Sequence, residues 1–220
     1  MSRYIGVTVL CDYVLSEGVE AVLANLHRVG ASAVAVNPTV TTEAQEGEEG
    51  ASWQPPSDGG TSPRLFDRPL FGKRSLWVRS GNSFAARQEL YEGCPCALTT
   101  PPPHPRLPPH SRGAGADHPW PPNDLTEQHG HVIREFIDKA LASGLDVFLQ
   151  VGGCGGLGFP GLRDEDRPML PDGTVAAERM ADTACLASPA IRQFNKAFAK
   201  DLLLEYLLRA ISMSTYPHSF

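Results

Sequence analysis

The chain has 220 residues, 41% of them hydrophobic and 20% charged, which suits one domain with a core of its own. Its formal net charge of −6, with no run of Lys or Arg, argues against a nucleic-acid or membrane-surface partner. No stretch approaches the roughly 18 consecutive apolar residues of a membrane-spanning helix.

Ile5–Leu10 is rich in β-branched residues and alternates little, so a strand buried on both faces is expected there. It is too short and too β-like for the core of a secretory leader. Ser16 suits an N-cap, and Val19, Val22, Leu23, Leu26 and Val29 follow at helical spacing until Gly30 supplies the C′ residue. Ala31–Val36 reads as a second strand, stopped at Asn37-Pro38 because proline cannot donate to a ladder. The two strands should be parallel and joined by a right-handed crossover.

Pro38–Asn123 carries few periodic signals and reads as one long irregular insertion. Residues 64–92 hold Leu65, Phe66, Leu70, Phe71, Leu76, Trp77, Val78, Phe84, Leu90 and Tyr91, enough apolar mass to pack over a barrel mouth. Residues 94–122 hold ten prolines and almost nothing to bury, so disorder is expected there. A polyproline ligand is the functional alternative.

Regular structure resumes at Asp124, read as a cap with Glu127 three residues on. Ile133, Phe136, Ile137, Ala140 and Leu141 form one helical face, Gly144 ends it, and Leu145–Val151 is a third strand continuing the parallel sheet. A last helix opens at Ser188-Pro189 with Ile191, Phe194, Ala197, Phe198, Leu202 and Tyr206 on its inner stripe. Residues 207–220 read as an irregular tail without a strand. The fold class expected is therefore α/β: a partial (β/α)8, TIM-like barrel of about three strand–helix units over residues 1–206, interrupted at 38–122.

Parallel barrels bind substrate at the C-terminal ends of their strands. The polar residues there are Asp12 and Tyr13 after the first strand, Asn37 after the second and Gln150 at the end of the third, and these four are the candidate substrate-binding residues. The alternative is that they cap strands or bond loop backbone. No catalytic residue can be named.

The Gly-rich run Gly152–Gly158 lacks the Lys-Ser/Thr and the prompt helix of a phosphate loop, so a flexible loop is expected. Cys94, Cys96, His104, His110 and His118 match no structural zinc spacing. His129 and His131 stand two apart on a helix and so point in different directions. Arg163–Arg167 reads as a solvated charge run, with substrate contact as the alternative, and no Gly-x-Ser-x-Gly elbow is present. No metal and no cofactor is expected. The five cysteines, Cys11, Cys94, Cys96, Cys154 and Cys185, follow no disulfide framework and fit a reducing, cytoplasmic setting.

The strand ending at Asp12, Asn37-Pro38, HGHVIREFIDKALASGLDVFLQVGG and ACLASPAIRQFNKAFAKDLLLEY together resemble the N-terminal part of glycoside-hydrolase-like (β/α)8 barrels of the α-amylase-like group, over about residues 4–92 and 123–206. The resemblance implies a carbohydrate partner and hydrolysis of O-glycosidic bonds. That chemistry needs two carboxylates about 5–10 Å apart, one of them expected on a fourth strand that the sequence does not show. The chain thus reads as a fragment of such a barrel lacking its catalytic carboxylates. The Pro-rich block and the tail differ in composition from the rest, as a retained intervening sequence or a frameshift would produce. Two alternatives stand beside it: a sugar or sugar-phosphate lyase or isomerase, favoured by the glycine run though no strand-end Lys supports aldolase chemistry, and a non-catalytic fragment that self-associates through its open sheet edge.

Overall fold

In the computed structural model, residues 4–48, 51–54, 76–94, 123–152, 164–174, 184–206, 208 and 211–214 are described. The Pro-rich stretch of the insertion, from residue 95 to 122, lies outside them, as do most of the glycine run and four of the apolar residues expected over the mouth (Leu65, Phe66, Leu70 and Phe71).

The architecture is mixed α/β. Strands β1 (Gly6–Val9), β2 (Ala33–Val36), β6 (Asp146–Gly152) and β7 (Ile211–Ser214) form a parallel sheet in the order β1-β2-β6-β7. Between β1 and β2 run helices α1 (Cys11–Glu17) and α2 (Val19–Arg28); α3 (Asp124–Ala142) precedes β6 and α4 (Pro189–Tyr206) precedes β7. Strands β3 (Thr39–Ala44), β4 (Ser52–Gln54) and β5 (Leu76–Asn82) form a separate antiparallel sheet in the order β3-β5-β4.

The parallel sheet owes its asymmetry to the helices. Val34, Val36 and Leu149 are fully buried, and Val147 and Val151 nearly so, in one core with Leu23, Leu26, Ile133, Phe136 and Ile137. Of the alternate residues, Ala33 is buried, Ala35, Phe148 and Gln150 are half-buried and Thr8 is exposed. Strand β1 is therefore not buried on both faces as its composition suggests. Among the described residues it lies at the edge of the sheet, beside β2 alone, and only Val9 of its four residues is buried.

The first helical segment also differs from expectation. Ser16 does not cap a helix but lies inside α1, its hydroxyl donating to the Tyr13 carbonyl. Gly18, at φ 87°, separates α1 from α2 in a conformation side-chain-bearing residues rarely adopt. Burial of Cys11 and Val14 holds so short a helix in place. At α3 the cap is Asn123, one residue before Asp124: its Oδ1 accepts from the backbone N–H groups of Leu125 and Thr126, and Thr126 Oγ1 accepts from the Asn123 backbone N–H. Ser188 and Pro189 open α4 as expected, with Ser188 Oγ accepting from the Ile191 N–H at 3.4 Å.

Two further expectations are corrected. The insertion is not irregular throughout, because Thr39–Ala44 pairs with Leu76–Asn82 over its whole length. The residues after Tyr206 are not wholly irregular either, because Ile211–Ser214 pairs in parallel with Leu149–Gly152. Both strands exist through partners distant in sequence, which local pattern does not display.

The antiparallel sheet leaves from the C-terminal end of β2 and is closed there by the Ser83 N–H, which donates to the Pro38 carbonyl at 3.0 Å. It packs against α1 and α3. Arg79 on β5 binds Glu48 at 2.8 Å and also Asp124 at the start of α3. Gly130 on α3 lies directly against the chain after β5, since a Cβ there would stand 2.5 Å from the Ser83 carbonyl oxygen. Alanine would gain about 1 kcal/mol of helix propensity but must displace backbone, an overpacking cost of about 1–3 kcal/mol. Gly130→Ala should therefore lower the urea midpoint of unfolding. A midpoint unchanged or raised would show that α3 does not approach this backbone so closely.

Candidate functional site

The C-terminal row of the parallel sheet is set by register. Val9, Val36, Leu149 and Ile211 lie side by side on β1, β2, β6 and β7. The next positions along three of these strands are Asn37, Gln150 and Ser212, with Gln150 directly opposite Ser212. Asp12 and Tyr13 stand in the first turn of α1, which begins two residues after β1. The four sequence-derived candidates thus share one end of the sheet, and Ser212 joins them by way of a strand the sequence does not announce.

They are not equivalent. Asn37 is engaged with its own neighbourhood: Oδ1 accepts from the Cys11 N–H at 3.2 Å, Nδ2 donates to Thr39 Oγ1, and its carbonyl accepts from Cys11 Sγ. Those bonds tie the start of α1 to the start of β3, so Asn37 braces the junction between them. Tyr13 is half-buried and packs against the core, its N–H donating to the Leu10 carbonyl at 3.0 Å. Gln150 is half-buried and, by alternation, shares the face of Phe148 away from the helices.

The charge run beyond β6 is not simply a solvated loop. Asp164–Asp166 forms a single 3-10 turn in which Asp166 is 2% exposed. Asp166 Oδ1 accepts from Ser188 Oγ at 2.6 Å, and its carbonyl accepts from the Cys185 N–H at 2.7 Å. An acid in a polar run is here a strut that positions the N-terminus of α4. His129 is half-buried and His131 exposed. Cys94 is half-buried with its thiol pKa pushed up by burial, whereas Cys96, His104, His110 and His118 lie outside the described residues. Among the described residues no group of three His, Cys, Asp or Glu could hold a metal ion.

A second polar constellation lies between α4 and the turn after β5, and the sequence reading does not single it out. Asp201, fully buried, accepts from Arg87 Nη1 at 2.8 Å, from the Arg87 backbone N–H at 3.1 Å and from Tyr91 Oη at 3.0 Å. Arg87 Nη2 reaches Glu205 Oε2 at 3.0 Å, and Glu205 also pairs with Arg134 of α3. Arg134 lies over the Tyr206 ring at 5.5 Å, and Tyr206 Oη shares a 2.6 Å hydrogen bond with Ser83. Phe84, Phe194 and Phe198 pack around this cluster. The detectable signal is an acid, Asp201, three residues after Phe198 on an otherwise apolar stripe.

Chemically this cluster binds α4 to the insertion and to α3. Asp201 is enclosed and accepts three charge-assisted or neutral bonds, the pattern of a buried structural carboxylate. Asp201→Ala should lower stability by about 1.5–3 kcal/mol, the usual contribution of hydrogen bonds to a charged group, as read by denaturant unfolding. Burial, reinforced by the Asp201 charge, pushes the Tyr91 pKa far above its ordinary 10.0, and burial likewise raises Tyr206. A raised folded pKa gives stability that is complete below the unfolded value and is lost as pH rises past it. Tyr91 and Tyr206 should therefore ionise only together with the loss of structure in an alkaline titration followed by tyrosinate absorbance and circular dichroism. Smooth ionisation of every tyrosine while the fold persists would contradict this burial.

No protein-family model, curated protein or solved structure matches this chain. No described helix is long and apolar enough to cross a membrane.

Proposed function

We propose that the parallel sheet is part of a (β/α)8-type barrel of the glycoside-hydrolase-like kind, and that its C-terminal strand ends bind carbohydrate. The observation that carries this reading is the strand order. The sheet runs β1-β2-β6-β7 in chain order with all neighbours parallel and no reversal. A doubly wound sheet reverses its order at a switch point, whereas a barrel adds each strand beside the last. The alternation agrees: one face of β2 and β6 is buried with the helices, and the other carries the buried Ala33 and the half-buried Ala35, Phe148 and Gln150. In a barrel that second face is the interior.

The groups at these strand ends suit recognition of sugar hydroxyls. By residue type, Gln150 carries an amide, Asp12 a carboxylate and Tyr13 an aromatic ring. Asn37 serves as a brace for Cys11 and Thr39. The reading is one of binding, with no hydrolytic step assigned to the described residues. Isothermal titration of the purified chain with neutral mono- and oligosaccharides should show saturable binding. Gln150→Ala should weaken it about tenfold, equivalent to about 1.4 kcal/mol. No binding across the panel, or binding unaffected by Gln150→Ala, would sink the site.

Two further readings have their own supporting observations. Gly152 ends β6 and opens the glycine run, which favours a sugar-phosphate ligand of a lyase or isomerase. That reading expects sugar phosphates to bind more tightly than neutral sugars in the same titration. Among the described residues β1 and β7 each have one strand neighbour, which favours self-association of a non-catalytic chain through these edges. That reading expects a dimer or larger species in size-exclusion chromatography, and a monodisperse monomer would count against it.

A further inference from the structure

No further inference is drawn: the strongest candidate, the face of the parallel sheet opposite the helices, where Thr8 is exposed and Ala35 and Phe148 are half-buried, is a surface for which nothing in the structure shows what covers it.

Discussion

The pairing of β2 with β6 is the constraint on which the rest of the structure depends. Val34 lies beside Val147 and Val36 beside Leu149, and three of these four side chains are fully buried. The two strands are separated in sequence by the whole insertion and α3, so forming them closes a very long loop. Loop-closure entropy grows only slowly, by about 0.6 kcal/mol for each doubling of length, so a long excursion between paired strands is tolerable. What must be met is burial of the central strands, and α2 and α3 meet it by laying their apolar stripes on one face of the sheet.

The insertion is bound into this framework at several independent points. Ser83 closes on Pro38, Gly130 lets α3 reach the backbone of Ser83, and Arg87 and Tyr91 grip Asp201 on α4. Val40, Phe84 and Tyr91 belong to the same apolar core as the parallel strands. The antiparallel sheet is thus an extension of the core at the C-terminal end of the parallel strands, and it helps shape that end. Asn37 shows how: one amide side chain connects the first residue of α1 to the first residue of β3.

Polar residues in this chain divide by what surrounds them more than by type. Asp166 and Asp201 are both buried carboxylates with hydroxyl or guanidinium donors, and both fix the position of α4, one at each end. Glu205 joins α4 to both the insertion and α3 through Arg87 and Arg134. Removing water from such groups is costly unless each oxygen gains a donor, and here the donors come from different elements. Asp166 and Asp201 thus hold α4 in place from within the fold, whereas Glu205 does so from a partly exposed position.

Local pattern by itself determined the helices α2, α3 and α4, the strands β2 and β6, and their parallel sense, because amphipathic spacing, Gly30 and Gly144 at helix ends and Ser188-Pro189 at a helix start are short-range signals. It also located the strand ends carrying Asp12, Tyr13, Asn37 and Gln150. Tertiary structure alone decided the rest. Strand β7 and the antiparallel sheet are short or weakly apolar segments stabilised by partners remote in sequence. Among the described residues strand β1 is an edge, because a β-branched run is compatible with a central or an outer position, and only its neighbours choose between them. Asn37 became a brace and Asp201 an anchor for the same reason: a polar side chain's role depends on which donors and acceptors the fold brings within hydrogen-bond reach.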